Sequence, residues 1–134
     1  MRSIILKSAR DTKKLGAEIA AKILNAPFGK TAKVLGLVGE LGSGKTTFIQ
    51  GFIRMFSVKQ RITSPTFMIF RPYHTKSRHY KTIYHVDLYR IRNVRELKSL
   101  GFDNILASPK NIILIEWASK IRRFLPKDTI WLKF

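Results

Sequence analysis

The segment that most restricts the fold of this chain is the run from Gly39 to Thr46, which reads Gly-Glu-Leu-Gly-Ser-Gly-Lys-Thr. It fits the pattern G-x-x-x-x-G-K-(S/T) of a phosphate-binding loop. An apolar, partly β-branched run, 33–38, precedes it, and a run with helical spacing of its apolar residues, 47–56, follows it. Because the motif binds phosphates when it joins a buried strand to a helix, the sequence predicts a nucleotide-binding protein.

The residue types of this phosphate-loop segment, 39–46, suit that chemistry. Gly39 and Gly44 allow backbone conformations that a Cβ would hinder, so consecutive N–H groups can point at phosphate oxygens near the positive end of a helix. Lys45 would place a positive charge at the β- and γ-phosphates, and the Thr46 hydroxyl would hold Mg²⁺. The alternative is a glycine-rich turn without a ligand, which the flanking strand and helix make less favourable.

Length and composition exclude several other classes. The chain has 134 residues and no cysteine, so we expect residues 1–134 to form one domain without disulfides, thiolate catalysis or Cys-ligated metals. The first residues lack the apolar core of a signal peptide, and no apolar run approaches the roughly 20 residues that span a bilayer. We therefore expect a cytoplasmic protein with no membrane association.

The charge of the chain is strongly positive. Lys and Arg number 26 against 8 Asp and Glu, a net charge of +18. Such an excess attracts RNA or an acidic protein partner. A generally basic surface is the alternative, and both stay open because the excess is spread along the whole sequence. Acids are scarce, and three of them, Glu40, Asp87 and Glu116, fall in motif-like segments.

Helical and strand patterns alternate along the chain. A capping box at Ser8–Asp11 and apolar spacing predict a helix over 9–25, a second helix follows the phosphate loop over 44–56, and Asn93 caps a short third helix over 94–100. An irregular stretch up to Pro109 and a charged turn at 120–123 are also expected. Strands are predicted near Leu35, Phe70, Val86, Leu114 and Leu132. The fold class is therefore α/β, a three-layer P-loop NTPase-like domain with a mixed, mainly parallel sheet flanked by helices.

Two of these strands carry acids that suit a phosphate site. Over 82–90, a period of two places His85, Asp87 and Tyr89 on one face and leaves the other face to the core. The strand 111–117 is apolar until it ends in Glu116, the place where phosphate-loop proteins carry a Mg²⁺-directing carboxylate. The alternative is that Glu116 has no role in a metal site and only marks the polar end of a core strand. Around Pro65, Ser64 and Thr66 also fit ordinary turn chemistry.

Two common subclasses can be tested by motif. A GTPase needs Asn-Lys-x-Asp and Asp-x-x-Gly, and neither tetrapeptide occurs. A small nucleotide kinase needs an acceptor site and an arginine-rich lid. Arg90, Arg92 and Arg95 could belong to a lid, but nothing resembles a second nucleotide pocket, so the kinase stays a less favoured alternative.

Five segments become recognisable when they are read together: Thr12-x-x-Leu15-Gly16, residues 39–48, Ser64-Pro65-Thr66-Phe67, His85-Val86-Asp87-Leu88-Tyr89-Arg90 and Ile115-Glu116-Trp117. In this order and spacing they resemble the bacterial TsaE family, formerly called YjeE, over nearly the whole chain. The resemblance implies an ATPase needed to make threonylcarbamoyladenosine (t6A) in tRNA. It also implies a complex with TsaD-like and TsaB-like subunits that ATP hydrolysis resets between turnovers, with tRNA contacted indirectly.

The resemblance also implies roles for single residues. Lys45, Asp87 and Glu116 would be catalytic, with Asp87 orienting the attacking water or a Mg²⁺-bound water. Thr46 and Glu116 would direct Mg²⁺, and 64–66 would be a switch-like loop. The implied ATP-binding residues are Thr12, Gly39, Glu40, Leu41, Gly42, Ser43, Gly44, Lys45, Thr46, Thr47, Ser64, Thr66 and Trp117.

The chain departs from the family pattern in two places. Ser119 stands where members usually carry an acid, and members usually continue through a further strand after the last one here. A non-catalytic, nucleotide-gated adaptor for RNA or protein remains the competing class. In that class the charge, rather than hydrolysis, is the functional feature.

Two basic stretches, 74–81 and 90–98, hold nine Lys, Arg and His residues against one acid, Glu96. We expect the first to be a mobile hairpin connection. If both form one surface beside the nucleotide site, a protein partner is favoured over tRNA, since no aromatic stacking platform stands out in the sequence.

Overall fold

A computed structural model describes residues 4–40, 44–62 and 69–134. Its helices are α1 (Ala9–Asn25), α2 (Lys45–Arg54), α3 (Val94–Ser99), α4 (Phe102–Ala107) and a 3₁₀ helix, η1 (Ala118–Phe124). Its strands are β1 (Lys33–Val38), β2 (Phe70–His74), β3 (Thr82–Asp87), β4 (Asn111–Glu116) and β5 (Ile130–Lys133).

The five strands form one sheet in the order β2-β3-β4-β1-β5. β3, β4, β1 and β5 run parallel, and β2 pairs antiparallel with β3. The predicted mixed, mainly parallel sheet is therefore confirmed, with a strand at each of the five predicted positions. We call the edge where the parallel strands finish the carboxyl end of the sheet, and the opposite edge the amino end.

Helices cover both faces of the sheet. On one face, Phe48 and Phe52 of α2 pack with Leu35 and Leu114, together with apolar residues of α1. On the other face, residues of α3, α4 and η1 pack against the alternate positions of the same strands. The expectation that only one face of β3 belongs to the core is wrong, because Ile83 lies in the first core and Val86 in the second.

Two glycines let α1 and α2 touch through their backbones. A Cβ on Gly51 would lie 2.2 Å from the Lys13 carbonyl oxygen, and one on Gly16 would lie 2.3 Å from the Phe48 carbonyl oxygen. No side chain fits at such separations, so the helices can approach this closely only where glycine stands. This contact brings the start of α1 beside the start of α2.

Several predicted boundaries shift in the structure. Ser8 caps α1 by accepting from the Asp11 N–H at 3.2 Å, while the Asp11 carboxylate accepts from the backbone N–H of Lys7 rather than from that of the cap residue. β3 ends at Asp87, so Tyr89 lies in a turn. The prediction that Tyr89 shares a strand face with His85 is therefore wrong.

Two short helices replace segments expected to be irregular. The stretch before Pro109 contains α4, whose Phe102 is buried, and the charged turn at 120–123 lies within η1, whose Ile121 is buried. Gly101, at φ 82°, follows α3 and directly precedes α4. Helices of six or seven residues are too short for apolar periodicity to identify, and tertiary burial of one or two side chains stabilises them.

The basic hairpin connection is a hydrogen-bonded turn, and its mobility stays a prediction. The Thr75 N–H donates to the Lys81 carbonyl at 3.0 Å, and the Ser77 hydroxyl accepts from the N–H groups of His79 and Tyr80. The buried Tyr80 ring meets Phe28 edge-on, with centroids 5.2 Å apart. Within the described ranges, no helix is long and apolar enough to cross a membrane.

Candidate functional site

The phosphate-loop segment leads directly into α2. Gly44, at φ 97°, occupies the cap position; among the described residues no side chain caps the helix, and its first turn holds no acid. A Cβ at Gly44 would be conformationally strained and would lie 3.6 Å from the Thr12 methyl carbon. The positive end of the α2 dipole is thus left to an anion from outside the helix.

Lys45 is buried at this helix start, with 4% of its surface exposed. Its Nζ donates to the Gly39 carbonyl oxygen at 2.5 Å, which ties the helix to the beginning of the loop. The same Nζ lies 4.8 Å from the centroid of a Trp117 ring. Because a buried ammonium is costly unless it is paired, a negatively charged ligand here would gain a strong interaction.

The two predicted acids are register partners at the carboxyl end of the sheet. Asp87 pairs with Glu116 across β3 and β4, and Glu116 also pairs with Leu37 of β1. Glu116 is two residues after Leu114 on β4, so both side chains lie on the same face of the sheet, the one that α1 and α2 cover. The site therefore brings both carboxylates to the face that carries Lys45.

The two carboxylates have different partners. One oxygen of Asp87 accepts from the Tyr89 N–H at 3.0 Å, which closes a turn just after β3. Glu116 is 7% exposed, and its Oε2 lies 2.8 Å from Nε2 of the buried His85. The contact between His85 and Glu116 is diagonal, because the residue directly opposite His85 on β4 is Leu114, two positions before Glu116.

The remaining predicted binding residues lie at or beside the loop where they are described. Thr12 is buried next to Gly44, Thr46 and Thr47 belong to the first turn of α2, and Glu40 is exposed just after β1. Five predicted residues lie outside the described residues: Leu41, Gly42, Ser43, Ser64 and Thr66. Their roles, like the binding roles of the others, stay predictions.

The structure adds an aromatic pair that the sequence did not reveal. Trp117, at φ 62°, turns the chain immediately after Glu116, and its ring lies 5.3 Å from that of Tyr89. Lys120 donates to the backbone carbonyls of Tyr89 and Ile91, at 2.7 and 3.3 Å, and so holds this turn. This pair could not be found from the sequence, because its two residues stand 28 positions apart.

A cavity of about 460 Å³ opens beside the phosphate-loop segment. It is lined by Val38, Gly39, Glu40, Trp117, Ser119, Lys133 and Phe134. Ser119 thus lies at the site, at the position where the family resemblance leads one to expect an acid. Neither Lys133 nor Phe134 was expected here, because only the pairing of β5 with β1 brings the last strand to the loop.

The two basic stretches do not form one surface beside the site. The hairpin 74–81 lies at the amino end of β3, whereas 90–98 follows its carboxyl end. A strand of this length separates them by about 20 Å. The strand predicted over 82–90 already implied this separation, because it runs from one basic stretch to the other.

Comparisons with known proteins agree with this arrangement. The sequence profile of the family described as "Threonylcarbamoyl adenosine biosynthesis protein TsaE" matches residues 6–134. A tRNA threonylcarbamoyladenosine biosynthesis protein TsaE from Rickettsia felis is 37% identical over 128 residues, which cover 95% of this chain and 68% of that protein. The protein of that name from Bacillus subtilis is 36% identical over 107 residues, covering 80% of this chain and 64% of its own length.

A solved structure supports the same relationship. The crystal structure of Bacillus YdiB superposes with a TM-score of 0.69 at 26% sequence identity, covering 96% of this chain and 72% of that one. The chain thus spans about two thirds to three quarters of the length of these similar proteins. The profile match over nearly all of its residues establishes that this chain belongs to the TsaE family.

Proposed function

We propose that this chain is a phosphate-loop ATPase that serves the biosynthesis of threonylcarbamoyladenosine in tRNA, acting with TsaD-like and TsaB-like subunits. The reaction it serves is taken from the family description and from the names of the relatives. The single observation that best supports the ATPase assignment is the buried Lys45, at an uncapped helix start, on the same sheet face as the paired Asp87 and Glu116.

Three features of the carboxyl end support the proposal that the chain binds a nucleotide. The helix dipole and the Lys45 charge would both attract the β- and γ-phosphates. The cavity beside Gly39 offers about 460 Å³ for other parts of the nucleotide. Lys45 would exchange its contact with the Gly39 carbonyl for phosphate oxygens, at a small cost in lost hydrogen bonding.

The side chains at the site fit Mg²⁺ held mainly by phosphates. Within residues 4–40, 44–62 and 69–134, no group of three or more His, Cys, Asp or Glu side chains could hold a metal. Mg²⁺ commonly takes only one or two carboxylates, with the remaining ligands from phosphates and water. Glu116 and the Thr46 hydroxyl would hold it, and when bound it would neutralise charge on the transferring phosphoryl group.

Asp87 is the residue we assign to the attacking water. Its hydrogen bond from the Tyr89 N–H fixes the carboxylate at the end of β3, next to Glu116. A fixed carboxylate can orient a water molecule and accept its proton as the phosphorus–oxygen bond forms. Among the described residues, no arginine forms an ion pair with either acid. We therefore expect slow hydrolysis that partner subunits accelerate, since arginines supplied in trans are worth about 10³ to 10⁵ in rate.

The test compares Asp87→Ala and Glu116→Ala with the parent chain. Both variants should keep much of the ATP binding and lose hydrolysis by about 10²-fold or more, because each removes a group that acts on the transition state. Asp103→Ala is the control, since this exposed acid lies in the first turn of α4, away from the site. If both site variants hydrolyse ATP at the parental rate, the catalytic assignment is wrong.

A nucleotide-gated adaptor is the second candidate, and the distribution of charge favours it. At the amino end of the sheet, Arg54, Lys59 and Arg61 line a cavity of about 640 Å³ that contains no acid. Such a surface suits an anionic partner whether or not ATP is hydrolysed. To separate the two, the chain is mixed with cognate TsaD-like and TsaB-like subunits and either ATP or a non-hydrolysable analogue. Multiple-turnover t6A formation with the analogue would favour the adaptor, and its restriction to ATP would favour the ATPase.

A further inference from the structure

We infer that His85 is a positioning residue that holds the Glu116 carboxylate in the orientation needed to direct a divalent cation. The inference rests on the proposed function, because it assigns His85 a task within that same site. It adds a residue that neither the phosphate-loop pattern nor the implied ligand set contains.

The geometry of the contact defines which atom donates. His85 Nε2 lies 2.8 Å from Glu116 Oε2, and the two residues are 1% and 7% exposed. An ionised carboxylate only accepts hydrogen bonds, so the hydrogen must reside on Nε2 of the imidazole. The bond therefore commits Oε2 to His85 and leaves Oε1 as the oxygen that can face a cation or its bound water.

The sheet makes this hydrogen bond rigid. His85 and Glu116 project from the same face of β3 and β4, and each strand is held in register by its neighbours. Both side chains are buried, so neither can exchange its partner for water without moving the core around it. In many metal sites, a residue that binds the metal is oriented by a hydrogen bond from a second residue behind it.

A purely structural role accounts poorly for a histidine at this position. Its other nitrogen, Nδ1, is buried and has no hydrogen-bond partner among the described residues. An unsatisfied buried polar atom lowers the stability of the fold, a loss that an apolar side chain at the same place would avoid. Ile83, two residues earlier on the same face, is such an apolar residue and is fully buried. What the imidazole adds to the fold is its hydrogen bond to Glu116.

The decisive variants are His85→Gln and His85→Asn. Both carry the same amide, but only glutamine is long enough to place its N–H near the position of Nε2, whereas asparagine ends near Nδ1. Ile83→Ala is the matched stability control, because it removes packing on the same strand and face without touching Glu116. Glu116→Gln is the reference for loss of the charged cation-directing group.

The main readout is Mn²⁺ affinity of the protein–ADP complex, measured by electron paramagnetic resonance, so no turnover is needed. ADP affinity in EDTA and urea unfolding are measured for each variant. His85→Asn should lower Mn²⁺ affinity about 10-fold or more, and His85→Gln should stay within about threefold of the parent, since lost orienting partners typically cost 10- to 100-fold. ADP affinity in EDTA should be nearly unchanged in both, and Ile83→Ala should lose stability but keep the parental Mn²⁺ affinity.

The outcomes separate this inference from the proposed function. If His85→Asn keeps the parental Mn²⁺ affinity, or if His85→Gln loses as much as His85→Asn, the positioning role is wrong even when Glu116→Gln lowers the affinity. If Glu116→Gln has no effect, the metal assignment of the proposed function fails and the role of His85 fails with it. If Ile83→Ala loses Mn²⁺ affinity as His85→Asn does, the effect is general destabilisation and the inference is overturned.

Discussion

Buried polar side chains cluster at the carboxyl end of the sheet, whereas a group of exposed cations surrounds a cavity at its amino end. Among the described residues, Thr12, Lys45, His85 and Glu116 are buried and gather around the start of α2 and the ends of β3 and β4. At the other end, exposed cations surround an open cavity: Arg54, Lys59 and Arg61. The chain thus uses polar residues in two energetically different ways.

The difference predicts what each end can do. Burying a charge costs free energy unless it is paired, so an anionic ligand that pairs with the buried Lys45 would gain a strong interaction. Exposed charges cost little, act over distances of about 10 Å and weaken with salt. We therefore expect changes at the carboxyl end to alter ligand affinity, and changes at the amino end to alter association with large partners.

Lys45→Ala should give the largest effect. Removing a buried charge that pairs with a ligand typically costs about 2–5 kcal/mol, so ATP affinity should fall roughly 30-fold or more. Without ATP the variant should be no less stable than the parent, because the ammonium is buried with few partners. Calorimetric titration and thermal unfolding with and without ATP measure both quantities.

Arg54→Ala is the control on the same helix. It removes one positive charge at the opposite end of α2, so it should leave ATP affinity within about twofold because the separation exceeds the Debye length. An equal loss of affinity in both variants would mean that total charge, rather than the buried lysine, attracts the nucleotide. The contrast between the two ends would then fail.

Gly51→Ala should give the next effect, on stability. Its Cβ would lie 2.2 Å from the Lys13 carbonyl oxygen, so α1 and α2 must separate. Overpacking of this kind typically lowers the free energy of unfolding by about 1–3 kcal/mol. Gly29→Ala is the matched control, since its nearest contact would be an ordinary 3.7 Å. Equal stability of the two variants in urea unfolding would contradict the close helix contact.

The carboxyl end could be predicted from the sequence to a useful extent. The phosphate-loop pattern is local, and it needs only the preceding strand and following helix to be placed. Glu116 ends an apolar run, and the carboxyl ends of parallel strands meet at one edge, so a site that includes Lys45 and Glu116 is expected. The sheet confirms the strand positions and direction that this reasoning requires.

The contacts that depend on register or on close packing could not be predicted. Pairing of His85 with Glu116 depends on how β3 aligns with β4, which the sequence of neither strand specifies. The packing of Tyr89 on Trp117 depends on two turns that follow those strands. The condition that both basic stretches form one surface beside the site is not met, because they lie at opposite ends of β3.

Charge reversal of the hairpin tests the amino end. The triple change Lys76→Glu, Arg78→Glu and Lys81→Glu should weaken association with TsaD-like and TsaB-like subunits about 10-fold at low salt, and tRNA binding less. ATP affinity should not change, because the hairpin lies at the far end of β3. Association is measured by titration over a range of salt concentrations.

A second triple reversal with the same net charge is the control. Arg92, Arg95 and Lys98 are exposed in and just before α3, at the carboxyl end. If both triple variants weaken subunit association equally, total charge decides and the position of the hairpin is irrelevant. Strong tRNA binding lost only in the hairpin variant, with a salt slope of about 0.9 per phosphate contact, would instead identify tRNA as the partner of the amino end.

The smallest expected effect concerns Tyr80, which closes the amino end by packing rather than by charge. Its ring is 2% exposed and meets Phe28 and Phe56 edge-on. Burial raises the pKa of Tyr80 above its ordinary value of 10.0. As pH rises past 10, the unfolded chain releases this proton while the folded chain keeps it, so the folded state loses stability relative to the unfolded state.

Tyr80→Phe removes that proton, so the free energy of unfolding of the variant should rise relative to that of the parent as pH increases. Below about pH 9 the two proteins should differ by a constant amount, and above about pH 10 the parent should lose stability faster, by less than about 1 kcal/mol. Lysines titrate in both proteins and cancel in the difference. Urea unfolding at pH 8, 9, 10 and 11 measures it. A difference that stays constant to pH 11 would mean that the phenol is hydrated in the folded state, and that the hairpin is open rather than packed against Phe28.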